Sequence, residues 1–586
     1  TAPSGFIWSM QPIFQKRTSS WRNQGMKWLT DNHGPYEIIE EKGRLTVSSS
    51  SILTVYGGGE RFSGPRLMGE YRNEVEEKFT NQGHSTYLPI PVFFISGLGV
   101  FLDTDRVFTI LSEEKKVTFI GEDLGEIYLY YGSMKESLRS FMALKGKGEV
   151  PPSWIFGEWM SANRWKCIQD VREAVENAEN FGFDFSVLVI EAWSDESTFY
   201  LFSRENDWNG FQELLSSLKA KDRHVLLWQC PVYKTLEEGH SDKYHEEDLT
   251  RVRKEGLMVF NGDKSPYLIP QGHWFASSMI PDFTNPSTMR DWIEKRKYLI
   301  DMGVSGFKTD GGEFVLDDET VFYDGRKGRD VRNVYPDLYS SLYRSKGCLT
   351  FSRAGYLGAW NGGVYWAGDQ LSTWSELKAV LSAGLSASIS GIFFWGFDIS
   401  GFSGPLPSRE LYLRSYELGA FSPIMQWHSE PVGGQFSDIM KTEDKTNDRS
   451  PWNMEKRCGG ILNVCRKYSR IRSSLRWYLE KESIYSVRNR EPLMRPFFYE
   501  YPGLDVTDQF LLGRSIMVSP IIEEGIRERS VVVPEGRWYS INIGKPLEGR
   551  AIITLSLPMD EIGIFLNMDS PDYERLKKNI EDSLNG

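Results

Sequence analysis

The strongest constraint on the fold is an alternation of short apolar runs and amphipathic segments between about residues 154 and 428. Eight runs have the composition of strands: 155–160, 186–193, 224–229, 305–310, 349–353, 363–369, 391–399 and 422–428. Helical patterns separate several of them, at 170–181, 211–221, 288–302 and 375–386. Apolar strands that alternate with amphipathic helices indicate a parallel sheet, and eight of them favour a closed (β/α)8 barrel.

The chain is therefore predicted to be multidomain, with the (β/α)8 TIM barrel over residues 149–480. Residues 1–148 carry alternating and β-branched runs with Gly and Asp between them, the pattern of an N-terminal β-sandwich. The same signals return later and predict a small C-terminal β-domain over 481–570, followed by a charged tail at 571–586 with helical spacing. A long polar stretch at about 230–285, after strand 3, is predicted to be an insertion over one face of the barrel.

Composition excludes several classes of partner. The net charge is −12 and no Lys/Arg block is present, which argues against nucleic acid and anionic membranes. The chain contains no run of about 18 apolar residues, which is the length needed to span a membrane. The N-terminus shows no secretory signal, so we expect a cytoplasmic protein unless a leader has been removed. The five cysteines form no CxxC pair, which fits a reducing compartment.

Three of the predicted strands end at or next to an aspartate with glycine nearby, and two of these segments also contain tryptophan. They are Ser305-Gly-Phe-Lys-Thr-Asp310, Gly363-Val-Tyr-Trp-Ala-Gly-Asp369 and Ile392-Phe-Phe-Trp-Gly-Phe-Asp398. Because active-site residues of parallel barrels lie at the C-terminal ends of the strands, these carboxyl groups should meet in one pocket. Aromatic residues make up 14% of the chain, and their faces stack on sugar rings. The pattern indicates acid–base chemistry on a carbohydrate.

Two of these carboxyl groups have different predicted surroundings. Residues i and i+2 of a strand share a face, so Lys308 should lie beside Asp310 and depress its pKa, which suits a nucleophile. Asp369 follows Trp366, and an apolar wall with a second carboxylate nearby raises a carboxyl pKa, which suits a proton donor. Such a pair can break a glycosidic bond. The alternative is that one of the two aspartates is structural.

Other polar or aromatic residues near strand ends are candidates for substrate binding. They are Lys308, Arg353, Trp366, Asp398, His428, Glu191, Trp193 and Trp228. Arginine can bind hydroxyls or a carboxylate through two hydrogen bonds. His428 could equally be a satisfied core residue, Asp398 could hold a neighbouring arginine, and Glu191 could be an exposed loop charge. No metal or cofactor is predicted, because the seven histidines lack ligand spacing and no glycine-rich phosphate loop occurs.

Several motifs, taken in order, resemble glycoside hydrolase family 31 over almost the whole chain. They include Tyr56-Gly-Gly-Gly-Glu60-Arg-Phe, Pro281-Asp-Phe-Thr-Asn-Pro286, Lys308-Thr-Asp310, Trp366-Ala-Gly-Asp369, Phe397-Asp-Ile-Ser-Gly-Phe402 and Asp508-Gln-Phe-Leu-Leu-Gly513. No single motif is decisive, but their shared order is specific.

The resemblance implies a retaining, exo-acting α-glycosidase that releases a terminal α-linked monosaccharide through a covalent β-glycosyl-enzyme. It implies that Asp310 is the nucleophile and Asp369 the acid/base. The resemblance also implies that ring hydroxyls are held by Arg353, Asp398 and His428, with Trp366 as a wall and Lys308 beside sugar and nucleophile.

Further alternatives stay open within this resemblance. The Lys308-Thr-Asp310 form is similar to that of the α-xylosidase and α-galactosidase branches rather than the intestinal-type α-glucosidases. An α-glucan lyase or a transglycosylase would share the nucleophile, whereas a non-catalytic sugar-binding protein would have lost a carboxylate. The expected partner is a small carbohydrate, and a homo-oligomer is compatible with the sequence.

Overall fold

The computed structural model describes residues 36–585, except positions 147, 196, 237, 238, 240 and 431–446. Two short strands nearer the N-terminus, Gln15–Arg17 and Lys27–Leu29, are also described. The segment on which the prediction of no secretory signal rests lies outside the described residues. No helix among those described is both long and apolar enough to cross a membrane.

The N-terminal domain is built from two antiparallel sheets. Its strands are β1 (Gln15–Arg17), β2 (Lys27–Leu29), β3 (Tyr36–Glu41), β4 (Arg44–Ser49), β5 (Val55–Gly57), β6 (Gly69–Arg72), β7 (Val92–Ile95), β8 (Leu98–Asp103), β9 (Phe108–Glu113), β10 (Lys116–Gly121) and β11 (Glu126–Tyr131). The sheets have the orders β1-β11-β8-β7-β5 and β2-β3-β4-β10-β9-β6. Side chains such as Val47, Val100 and Phe119 are buried in its core, which confirms the predicted sandwich.

A parallel eight-stranded sheet forms the centre of the molecule. Its strands are β12 (Glu158–Ala162), β13 (Phe185–Ile190), β14 (His224–Gln229), β15 (Gly306–Thr309), β16 (Leu349–Ser352), β17 (Val364–Trp366), β18 (Trp395–Gly396) and β19 (Met425–Ser429). The order is β18-β17-β16-β15-β14-β13-β12-β19. Hydrogen bonds from Ile424 N to Trp395 O and from Ile399 N to Gln426 O, 3.1 and 2.9 Å long, join its two ends. The predicted barrel is confirmed.

Helices surround this sheet and connect it to the flanking domains. They are α1 (Met134–Leu144), α2 (Ile168–Asn180), α3 (Phe211–Lys219), α4 (Lys243–Glu255), α5 (Pro286–Glu294), α6 (Lys297–Met302), α7 (Gly328–Val331), α8 (Tyr335–Arg344), α9 (Trp374–Ile389), α10 (Arg409–Ala420), α11 (Pro451–Cys458) and α12 (Leu462–Asn489). The helix predicted over 288–302 is two helices, α5 and α6. The break occurs where Arg296 turns its guanidinium inward, onto the Trp292 ring and the Gln229 side chain.

Several barrel strands differ in extent from the sequence-based prediction, and two of them show why. The run at 155–160 begins as a 3₁₀ turn, Ser153–Phe156, and β12 starts only at Glu158. The run at 391–399 contributes only two strand residues, in β18. Gly391 has a φ of +92° after α9, and the Ile392 N–H bonds back to that helix, so neither residue can pair in the sheet.

The C-terminal domain contains two further sheets. Its elements are β20 (Met494–Pro496), α13 (Phe497–Glu500), β21 (Phe510–Leu512), β22 (Ile516–Ser519), β23 (Glu528–Val533), β24 (Arg537–Ser540), β25 (Lys545–Glu548), β26 (Ala551–Ser556), β27 (Gly563–Asn567) and α14 (Tyr573–Asn585). The predicted boundary at 480/481 falls inside α12, which ends at Asn489. Helix α14 lies in the charged tail, and its Asn579 side chain donates to Ser474 O of α12 over 3.0 Å.

Candidate active site

Side chains from four barrel strands meet inside the C-terminal end of the barrel. Lys308 on β15 donates a hydrogen bond to the carboxylate of Glu191, which follows β13. The Lys308 ammonium also lies 4.4 Å from the centroid of the Trp366 ring on β17. His428 Nδ1, on β19, is 3.7 Å from Glu191 Oε1. The parallel register therefore brings these four predicted site residues together.

Asp310 follows directly after β15 and is surrounded by hydrogen-bond donors. Its Oδ2 accepts from the Trp228 Nε1–H over 2.9 Å, and its Oδ1 accepts from the Gly311 N–H over 2.8 Å. Arg353 Nη1 lies 3.3 Å from the same Oδ1. Three donors on one carboxylate stabilise a negative charge. The structure differs from the sequence-based expectation, because the cation in contact with Asp310 is Arg353 and Lys308 pairs with Glu191.

Arg353 is itself held by a residue that the sequence interpretation missed. Its Nε and Nη2 donate to the two carboxylate oxygens of Glu313 over 2.9 and 3.1 Å, and both side chains are buried. The rings of Phe79, Tyr87 and Trp274 surround the guanidinium at 5.0 to 5.2 Å. The signal for Glu313 was its place in Asp310-Gly-Gly-Glu313, three residues after Asp310.

Asp369 has surroundings opposite to those of Asp310. Burial raises the pKa of its carboxyl to about 8, and although Arg353 opposes the shift, the charges of Asp310 and Asp398 add to it. No side chain or N–H among the described residues donates a hydrogen bond to this carboxyl. Only 8% of the residue is exposed. The protonated form of Asp369 is therefore favoured, and the group lies close enough to Asp310 to feel its charge.

Asp398 and His428 complete the polar lining. Burial raises the pKa of Asp398 to about 6 against the opposing charge of Lys308, and its Oδ1 accepts from the Gln426 side chain. His428 Nδ1 shares a 2.6 Å hydrogen bond with the Ser161 hydroxyl. Burial, together with the charge of Lys308, lowers the pKa of His428 well below its usual value, so the ring is neutral. Within the described part of the chain, Asp398 Oδ2 and His428 Nε2 have no hydrogen-bond partner.

The three predicted tryptophans have different positions. Trp228 is half-buried and touches Asp310 through its indole N–H. Trp193 is completely buried and donates to Trp228 O over 3.0 Å, so it supports Trp228 from behind. Trp366 is also completely buried and forms the face under Lys308.

Two more polar residues of the site were missed because they follow the strands β12 and β19. Asn163 and Glu430 are buried, and the Asn163 side-chain amide donates to Glu430 Oε1 over 3.2 Å. The alternation of β19 could have identified Glu430, which is two residues beyond His428 and shares its face. No cluster of three or more His, Cys, Asp or Glu side chains in the described ranges is arranged to hold a metal ion.

A parallel barrel whose C-terminal end holds one carboxyl contacted by three donors and another with a raised pKa, beside Trp, Arg and His, defines the class of glycoside-processing barrel enzymes. The comparison with known proteins is more specific. Residues 148–481 match the TIM-barrel domain of the glycosyl hydrolases family 31, and residues 490–570 match the C-terminal domain of that family. The chain belongs to glycosyl hydrolase family 31, which confirms the family predicted from the motifs.

Relatives of known name are similar over most of this chain. The isomaltosyltransferase of Sporosarcina globispora is 30% identical over 95% of the chain, which spans only 54% of that protein. The 1,3-alpha-isomaltosidase of Kribbella flavida is also 30% identical over 95% of the chain and 81% of its own length. The structure of the cycloalternan-degrading enzyme from Trueperella pyogenes in complex with isomaltose has a TM-score of 0.83 and 29% identity, covering 94% of this chain and 84% of that one.

Proposed function

We propose that this chain is a retaining α-glycosidase in which Asp310 is the nucleophile and Asp369 the acid/base. The observation that carries the proposal is the contrast between the two carboxyl groups. Asp310 is contacted by two N–H donors and by Arg353, whereas burial raises the pKa of Asp369 to about 8. One group is equipped to attack the anomeric carbon and the other to protonate the leaving oxygen.

The coupling between the two carboxyls accounts for the change of role that double displacement requires. The negative charge of Asp310 is one cause of the raised pKa of Asp369. When Asp310 bonds to the sugar, that charge disappears and the pKa of Asp369 falls. Asp369 then gives up its proton in the first step and can accept one from water in the second.

The remaining polar groups provide a pocket for sugar hydroxyls. The partnerless atoms Asp398 Oδ2 and His428 Nε2 are buried, and a buried polar atom without a partner is costly unless a ligand satisfies it. Arg353 and Lys308 supply positive charge beside them, and Trp366 supplies an apolar face. Glu191 orients Lys308, Trp228 contacts the nucleophile, and Trp193 packs behind Trp228.

We propose further that the transferred unit is an isomaltosyl disaccharide from an α-linked oligosaccharide. The sequence-based expectation was a terminal monosaccharide. Two relatives with 30% identity over 95% of the chain are, by name, an isomaltosyltransferase and a 1,3-alpha-isomaltosidase, which supports the larger unit. The first of these names also supports a second candidate function, transfer of the same unit to another sugar.

Product analysis tests this function. The protein is incubated with an isomaltosyl-(1→3)-glucoside and with aryl α-glucoside, α-xyloside and α-galactoside, and the products are identified by chromatography and mass. Isomaltose supports the proposed hydrolysis, and longer oligosaccharides support transfer. Monosaccharide alone overturns the disaccharide assignment, and an anhydro-sugar identifies a lyase. If none of these substrates yields a product, the glycosidase assignment is overturned.

A further inference from the structure

Two neighbouring strands place one more polar layer beyond His428, toward the C-terminal end of the barrel. Strands β12 and β19 are parallel, with Ser161 opposite His428 and Ala162 opposite Ser429. The Asn163 N–H continues the ladder by donating to Ser429 O over 3.1 Å. Because side chains alternate along a strand, Asn163 and Glu430 form the next inward layer beyond Ser161 and His428.

The side chains of this layer are buried but incompletely bonded. Glu430 Oε1 accepts from the Asn163 amide over 3.2 Å and lies 3.4 Å from His428 Nε2. Glu430 Oε2 and Asn163 Oδ1 have no hydrogen-bond partner among the described residues, although both residues are at most 3% exposed. Leaving such an atom unsatisfied costs about 1–3 kcal/mol, so these two atoms on adjacent strands have free capacity to bond a ligand hydroxyl or a water molecule.

The charges around Glu430 are those of the candidate active site. Burial raises the pKa of Glu430 well above its usual value, and the charges of Glu191 and Asp369 raise it further. The carboxyl is therefore close enough to Glu191 and to the candidate acid/base Asp369 to interact with their charges. A neutral carboxyl can both donate and accept a hydrogen bond, as a sugar hydroxyl does.

We propose that Glu430 and Asn163 bind a hydroxyl group of the substrate's α-glucosyl or isomaltosyl unit and so determine which sugar is accepted. The proposal rests on the proposed function and names specificity residues for it. A site built to bond a hydroxyl rejects the analogue that lacks it, since its buried polar groups are then left unpaired. Glu430 would therefore discriminate between sugars, rather than take part in the bond cleavage itself.

The test combines removal of the side chain with removal of single hydroxyls. Calorimetry measures the binding of isomaltose and its monodeoxy analogues to the wild type, Glu430→Ala, Glu430→Gln and Asn163→Ala, and kcat/KM is measured on aryl α-isomaltosides with the same deoxygenations. Glu158→Gln is the matched control, because Glu158 is an equally buried carboxyl at the start of β12 that bonds Tyr416, Trp427 and Ser469, away from the pocket.

The expected result is a selective loss. One deoxygenation should weaken binding to the wild type about 10–100-fold but change binding to Glu430→Ala less than about threefold, with Glu158→Gln behaving as the wild type. Glu430→Gln keeps the volume and should be intermediate.

Equal sensitivity of the wild type and Glu430→Ala to every deoxygenation would overturn the proposal and leave Glu430 as a support for His428. Failure of both Glu430 variants to fold would assign it a structural role and overturn the proposal as well. A wild type that binds isomaltose in a Glu430-dependent way but cleaves no glycoside would overturn only the proposed function.

Discussion

Replacing Asp310 tests the most important single residue of the site. We expect Asp310→Asn to lower kcat/KM by about 10⁴-fold or more, because an amide cannot form the glycosyl ester. The amide oxygen can still accept from the Gly311 N–H, so the melting temperature should stay within a few degrees of the wild type. Asp301→Asn, on a residue mostly exposed to solvent, is the control. Turnover within tenfold of the wild type would contradict the assignment.

The pH profile tests Asp369. Its carboxyl must be protonated in the first step, and its pKa is raised to about 8, so kcat/KM should fall as the pH rises above about 8. Asp369→Asn should remove this alkaline limb. The variant should also lose about 10²–10⁴-fold on glycosides with poor leaving groups and far less on activated aryl glycosides, which need no proton. Equal losses on both substrates, with the limb retained, would assign the proton to another group.

The sequence pointed to the two carboxyl groups that we propose as the catalytic pair, but not to all of their contacts. Asp310 and Asp369 were identifiable because each lies within three residues of the end of an apolar strand and next to a glycine. The partner of Lys308 was not identifiable, since Glu191 follows a strand more than a hundred residues earlier in the chain. Residues such as Glu313 and Glu430 acquire their partners only when loops of different strands meet at the rim.

At the scale of elements, the turn that ends β15 positions Asp310, the proposed nucleophile. Gly311 has a φ of +74°, and a Cβ there would lie 2.9 Å from the Phe314 ring and 3.0 Å from Cys230 Sγ. We expect Gly311→Ala to cost about 1–2 kcal/mol for the left-handed backbone, and more for the clash. Because its N–H holds Asp310 Oδ1, kcat should fall about tenfold or more as well.

A second glycine separates backbone strain from the clash. Gly325 has a φ of +87°, and nothing lies within 4 Å of a Cβ built there. Gly325→Ala should therefore show only the strain, with kcat unchanged, when both variants are compared by thermal melting and initial rates. Equal effects of the two substitutions on kcat would mean that the turn does not position Asp310.

Element type was easier to predict than element length. All eight barrel strands were found, because buried parallel strands are apolar along their whole length. The ends of the strands were misplaced where apolar residues are buried without belonging to the sheet. Phe393 and Phe394 are such residues, directly before the two-residue strand β18. The break between α5 and α6 was hidden since Arg296 fits a helical pattern equally well, and its buried contacts lie outside that pattern.

At the scale of the whole molecule, the N-terminal domain is joined to the barrel through a buried polar contact. Glu60 follows the Tyr56-Gly-Gly-Gly motif, and its Oε1 accepts from the Trp395 indole N–H on β18 over 2.7 Å. The Gly59 N–H donates to Ser390 Oγ over 3.0 Å, and Gly59 O accepts from Ser386 over 2.7 Å. The motif was recognisable in the sequence, but its role as a domain contact was not, because its partners lie more than 300 residues away.

This contact predicts a pH-dependent stability. Burial raises the pKa of Glu60 to about 8 from a usual value of 4.5, although Trp395 and Arg61 oppose the shift. A raised carboxyl pKa means that the folded state holds a proton which the unfolded chain has lost. The contribution of this proton to the free energy of unfolding is fully present below about pH 4.5. It is lost as the pH rises through about 8, and the total loss is at most about 5 kcal/mol.

Glu60→Gln removes the titration while keeping an acceptor for Trp395. We expect the urea midpoint of this variant to be near that of the wild type at pH 5 and higher than the wild type at pH 9, since Gln stays neutral while Glu60 becomes a buried anion. Glu40→Gln, on an exposed residue of β3, should leave the wild-type pH dependence unchanged. If Glu60→Gln and the wild type lose stability in parallel between pH 5 and 9, then the buried proton lies elsewhere and the domain contact is not its source.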